Sequence, residues 1–184
     1  AEYAGGQGLV SRVVTKSGGN EFHGSVNYYL QNDSLVADNK NLENAGFSNY
    51  DTAFTLGGPI IEDQLWFFTS FQQKVNDTDV INTETNTLSR TVNDESNLGF
   101  AKLTWQITDD DRLQATYFND PRSISGSTDF RVLDNRDRAQ DQGGDNYKLE
   151  YVHSWTNLIF TANYFSHEGE VSSLAADKST RDSI

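Results

Sequence analysis

The stretch GQGLVSRVVTKSGGNEFHGS, Gly6–Ser25, decides how this chain is read. A short β-rich segment runs into a Lys16-Ser17-Gly18-Gly19-Asn20 turn, and an alternating segment begins at Glu21. Gly18 and Gly19 allow a sharp redirection of the chain, including through positive φ. Beyond them, Phe22, Gly24, Val26, Tyr28 and Leu30 fall on one face of a strand, and His23, Ser25, Asn27, Tyr29 and Gln31 on the other.

Working outward, six more runs of aromatic and β-branched residues follow, separated by polar stretches, and no long window shows helical periodicity. Asn49–Leu56 puts Tyr50, Thr52, Phe54 and Leu56 on one face. Gln64–Gln73 is apolar on both sides, with Leu65, Phe67, Thr69 and Phe71 taken as outward. Asn97–Ile107 has two phases, one exposing Lys102 beside Phe100 and Thr104, the other Ala101, Leu103, Trp105 and Ile107. If the outer face meets lipid, a mid-bilayer lysine costs about 2–4 kcal/mol, so the second phase is expected. Arg112–Phe118 gives Leu113, Ala115 and Tyr117 outward. Asn146–Trp155 gives Tyr147, Leu149, Tyr151, His153 and Trp155, since the other phase exposes Lys148 and Glu150. Asn157–Phe165 gives Leu158, Phe160, Ala162 and Tyr164.

The connections alternate in length. Residues 57–64, 108–111 and 154–157 are short; residues 32–48, 74–96, 119–145 and everything after 166 are long and rich in Asn, Asp, Ser and Thr. Tight turns below and long loops above are the habit of outer-membrane barrels, whereas nothing makes a soluble sandwich alternate in this way. Aromatics at the ends of the apolar bands (Tyr28, Tyr50, Phe71, Trp105, Tyr117, Trp155 and Tyr164) suit two interfacial girdles.

Composition is compatible with a barrel wall. The chain has no Cys and no Met, two Pro, 14 Gly and a net charge of -13. That charge argues against nucleic acid as a partner. No apolar run is long enough for a transmembrane helix and no leader is visible. Mean hydropathy of -0.65 is ordinary for a wall whose strands hide one face in a wet lumen. The missing Met and the polar ending suggest a portion of a larger protein. About seven strands would leave two open edges, which lipid does not tolerate.

Val13-Val14-Thr15-Lys16-Ser17-Gly18-Gly19-Asn20-Glu21-Phe22-His23-Gly24-Ser25 resembles the end of the plug and the first barrel strand of a TonB-dependent outer-membrane receptor. Tyr28-Tyr29-Leu30-Gln31-Asn32-Asp33 looks like the top of that strand, though the family more often has Arg where Gln31 stands. Leu56-Gly57-Gly58-Pro59-Ile60-Ile61-Glu62-Asp63-Gln64-Leu65-Trp66-Phe67-Phe68 is similar to the first periplasmic hairpin, in wording closest to the Oar-like branch. The resemblance implies an all-β fold: the end of a plug over residues 1–20, with Lys16, Ser17, Gly18, Gly19 and Asn20 at the junction, then an antiparallel transmembrane β-barrel wall over residues 21–184. This would be part of a large barrel of 22 strands in the bacterial outer membrane.

The lipid-facing set is then Val26, Tyr28, Phe54, Leu56, Leu103, Trp105, Leu113, Tyr117, Leu149, Tyr151, Phe160 and Tyr164. Tyr29, Phe68 and Phe118, with Trp66, would face the lumen on the ligand side, with packing against the plug as the first role of Trp66, Phe68 and Phe118. The implied function is active uptake of a small nutrient ligand (a siderophore, vitamin, glycan or peptide). Its partners would be outer-membrane lipid and the TonB-ExbB-ExbD complex, engaged through parts outside this chain. The competing class is a non-transporting surface protein, an adhesive or carbohydrate-binding sandwich or barrel.

Catalytic, cofactor and metal motifs do not emerge, and no enzyme is expected. His23, His153 and His167 are scattered without zinc spacing. Ser154 beside His153 points to the opposite face, so the two cannot act as a pair. Asp109–Asp111 and the acidic stretch 134–145 suggest Ca²⁺ only loosely and read better as solvated loop. The early glycines lack the Lys-Ser/Thr of a phosphate loop.

Overall fold

The structure, a computed structural model, describes residues 15–37, 45–133 and 136–175. The first 14 residues of the expected plug end lie outside the described residues. The strands among the described residues form one antiparallel sheet: β1 (His23–Asn32), β2 (Phe47–Ile61), β3 (Leu65–Asn82), β4 (Thr87–Gln106), β5 (Asp111–Asn119), β6 (Arg122–Ser125), β7 (Arg138–Ser154) and β8 (Ile159–Ala175). A 3-10 turn, Asp33–Leu35, follows β1, with Asn32 accepting the Ser34 amide at its N-cap.

Eight strands occupy seven positions. β5 and β6 both lie between β4 and β7, and their registers are continuous: Gly99 opposes Asn119 and Ser96 opposes Arg122, while Asp145 opposes Asn119 and Gln142 opposes Arg122. Asp120-Pro121 interrupts the strand because proline has no amide hydrogen to give. Its carbonyl still accepts the Asn97 amide at 2.9 Å, which keeps the ladder in register. The seven positions match the seven sequence runs.

Two expectations need correction. Residues 74–96 are mostly strand rather than loop, and strand also takes in 122–125, 138–145 and 166–175 of the other long stretches. β3 and β4 continue well past the apolar band and join through residues 83–86, where Asn86 takes φ 56° and the Asn82 side chain caps the Glu84 and Thr85 amides. Polar ladders carry this extension: Thr91 donates to Asp79 at 2.6 Å, Asn93 to Asp77 at 2.6 Å, and Arg122 binds Asp94 at 2.7 and 2.6 Å. Residues 126–133 and 136–137 connect β6 to β7; the Arg90 guanidinium of β4 donates to the Val132 carbonyl and meets Asp137 at 2.9 Å. The second correction concerns Gly18 and Gly19. Positive φ among the described glycines belongs to Gly126 and Gly143, not to them.

No second sheet packs on the first among the described residues, so the two-layer sandwich is not the architecture found. The only buried apolar side chains described are Phe68 and Val75. A soluble domain of this length would bury many more.

Candidate functional site

Residues paired across an antiparallel sheet share a face. One row runs Gly58, Phe67, Leu103, Ala115, Leu149, Tyr164, and its neighbour runs Leu65, Trp105, Leu113, Tyr151, Ala162. Toward the far end, Gly24, Leu56, Thr69, Ala101, Tyr117, Tyr147 and Ser166 form another, and Val26, Phe54 and Phe71 continue it. Face A, as we term it, thus holds all twelve residues expected to be outward. Between Asp111 at one end and Glu95, Asp145 and Glu168 at the other it carries no charged residue. Leu103 (45 % exposed), Trp105 (42 %) and Leu149 (43 %) are large apolar side chains left exposed on it.

The opposite face, face B, is polar. Its middle row runs His23, Gly57, Phe68, Lys102, Thr116, Lys148, Phe165. Lys148 binds Glu150 at 2.7 Å and lies over the Phe165 ring; Gln72 and Lys74 bind Asp51; Ser25 and Thr55 share a hydrogen bond. Of the aromatics expected on this side, Tyr29 is open. Phe118 borders a depression lined by Thr15, Lys16, Ser70 and Phe100. Phe68 is 5 % exposed, stacked near His23 and edge-on to Phe100, so it is closed to any passing solute.

The residues just before β1 cross face B. Lys102, only 7 % exposed, donates to the Thr15 hydroxyl at 3.1 Å and to its carbonyl at 3.4 Å. Gly18 lies so close to β2 and β3 that a Cβ there would collide with the Phe67 carbonyl oxygen and press on that of Gly58. Asn20 ties down the β2–β3 turn. Its side-chain oxygen accepts from the Asp63 amide at 3.0 Å and from Trp66 Nε1 at 2.6 Å, while its amide nitrogen donates to the Asp63 carboxylate. Asp63 sits at φ 60°, so this turn is held in the left-handed region. Sequence reasoning missed these ties; the one available signal was a lysine in the middle of an otherwise apolar run.

A second cluster lies beyond the apolar band, at the short turn that opens β5. Asp111 accepts from Thr108 Oγ1 at 2.6 Å and from the Tyr151 hydroxyl at 2.5 Å, and His153 Nδ1 lies 2.6 Å away.

The outer membrane beta barrel domain family matches residues 14–87. The TonB-dependent transporter Oar of Myxococcus xanthus is 36 % identical over 83 residues, a match covering 38 % of this chain and 7 % of that protein. The chain thus corresponds to a small fraction of the length of the curated relative it matches, and the similarity is to a transporter-type barrel rather than to an enzyme family. No solved structure matches. The residues matched by the family include the segment on face B and all of β1, β2 and β3. Residues 14–87 thus match an outer membrane β-barrel domain, and the chain is similar over a limited stretch to a TonB-dependent transporter of the Oar kind, both of them likenesses to proteins of the bacterial outer membrane.

Proposed function

We propose that this chain is the opening part of the wall of a TonB-dependent receptor that takes up a small nutrient ligand, with residues 15–20 as the end of its plug. The observation that carries the reading is the contrast between the two faces. A charge-free apolar face stands back to back with a polar one, and the segment before β1 lies on the polar side. Face A meets lipid; face B lines the lumen that the plug fills. β5 runs for 9 residues, the length a tilted transmembrane strand needs. Edges at β1 and β8 remain open for further strands of a larger barrel, which lipid requires to close.

Orientation follows from the two ends of the sheet. The short turns at residues 62–64, 107–110 and 155–158 face the periplasm, and the polar extensions of β3, β4, β6 and β7 stand outside the cell. Ligand recognition belongs to those extensions, with residues 32–48, and to Tyr29 on the lumen side. The energising complex would act on the plug, through parts preceding this segment.

Spin labels on the full-length receptor in lipid test the faces. A label on Leu103→Cys should collide with oxygen dissolved in the acyl chains, and one on Thr104→Cys with a water-soluble nickel complex. Equal access of the nickel complex to both positions would end the reading.

A further inference from the structure

The residues before β1 are held more firmly than a connection needs to be. Three separate devices act on one short segment. Lys102 grips Thr15 through two hydrogen bonds from β4; Gly18 is pressed against the carbonyls of β2 and β3; Asn20 makes two hydrogen bonds with Asp63 in the turn between those strands and a third with Trp66 of β3. The choice of a lysine in the first is informative. Position 102 faces a lumen where Thr104, Gln114 and Thr116 would satisfy any polar demand. Along the same row Lys148 stands one strand beyond Thr116, and the carboxylate of Glu150 is engaged by Lys148 at 2.7 Å and by Arg112 at 4.0 Å. An ammonium is costly here, and its hydrogen bonds go to Thr15. Charge-assisted bonds are the stronger kind, and releasing Thr15 would strand a buried cation. The tie therefore resists opening more than a neutral pair would.

We propose that Thr15–Asn20 is a fixed anchor between plug and wall, with Lys102 as its positioning residue: when the plug is rearranged, movement ends at Thr15 and the segment from Thr15 onward keeps its place on the lumen face. This rests on the receptor reading above.

Amide hydrogen exchange on the full-length receptor in lipid nanodiscs tests it, with and without the periplasmic domain of TonB. Amides of residues 18–22 should exchange slowly in both conditions, while amides of the plug ahead of Thr15 speed up when TonB binds. Lys102→Met keeps the side-chain length and removes the donor. It should speed exchange at residues 18–22 by roughly tenfold or more, with β3 and β4 unchanged. Thr15→Val, which loses only the hydroxyl, should give a smaller increase, and Lys102→Arg should restore slow exchange. Native rates at residues 18–22 in Lys102→Met would overturn the anchor. So would acceleration at 18–22 on TonB binding to the native protein, or equal acceleration of β3 and β4 in both Lys102→Met and Thr15→Val, which would make Lys102 a support of the sheet alone. The labels at positions 103 and 104 report separately on whether the wall is in lipid, so failure of the anchor and failure of the receptor reading give different patterns.

Discussion

Arginine in place of Leu149 should abolish assembly of the barrel, while arginine in place of Gln114 should be tolerated. Both positions lie at similar depth in neighbouring strands, β7 and β5, and differ in face. Leu149 pairs with Ala115 and Tyr164 on face A, and it falls midway between Asp145 and His153, so a charge there has the longest way to either membrane surface. Arginine at the midplane of a barrel's lipid face costs about 2–4 kcal/mol. The sheet has little buried apolar area with which to offset that, since Phe68 and Val75 are the only buried hydrophobic residues described. Gln114 pairs with Thr104 and Glu150 on face B, where a guanidinium gains a carboxylate neighbour. Heat-modified mobility of the full-length protein, extracted from the outer membrane, separates folded from unfolded barrel. Equal assembly of the Leu149→Arg and Gln114→Arg proteins would mean that the two faces do not see different solvents.

That contrast was legible in the sequence because lysine breaks the tie between the two phases of a strand. The run through Lys102 and the run through Lys148 each have one phase without a buried-in-lipid cation, and the register puts Leu103, Trp105, Leu149 and Tyr151 together on the other face. Strand length was not legible. Apolar alternation marks only the part of a strand that leaves water on one side, so residues 74–96 look like loop although they pair from Lys74↔Ser96 to Asn82↔Thr87. There the sheet is held by side-chain ladders among Asp, Asn, Thr and Gln, such as Gln73 to Glu95 at 2.9 Å, which carry no periodic signal. The interruption at Pro121 was hidden for a related reason: a proline argues against a strand interior, and only the unbroken register on both sides shows that β5 and β6 occupy one position. Least legible were the contacts of the junction. Lys102 and Thr15 are 87 residues apart, and Asn20 and Trp66 are 46 apart. No local rule connects a turn residue to a wall residue at such distance.

Gly18→Ala should damage the protein and Gly19→Ala should leave it unchanged. The sequence offers no basis for the difference, because adjacent glycines in a turn invite the same explanation, conformational freedom. The structure removes that explanation, since neither residue takes positive φ. What separates them is space. A methyl at Gly19 meets nothing within 4 Å. A methyl at Gly18 runs into the Phe67 carbonyl oxygen, with the Gly58 carbonyl at 3.0 Å on its other side. Both obstacles are backbone atoms inside the β2–β3 ladder, where Gly58 pairs with Phe67, so they cannot swing away as a side chain would. Either the segment lifts off face B, breaking the ties at Thr15 and Asn20, or the ladder bends. Overpacking of this kind costs about 1–3 kcal/mol. The expected result is a lower urea midpoint for the full-length Gly18→Ala protein and faster exchange at residues 18–22, with Gly19→Ala matching the native protein in both. Two alanine proteins of equal stability would show that the segment does not lie against the wall.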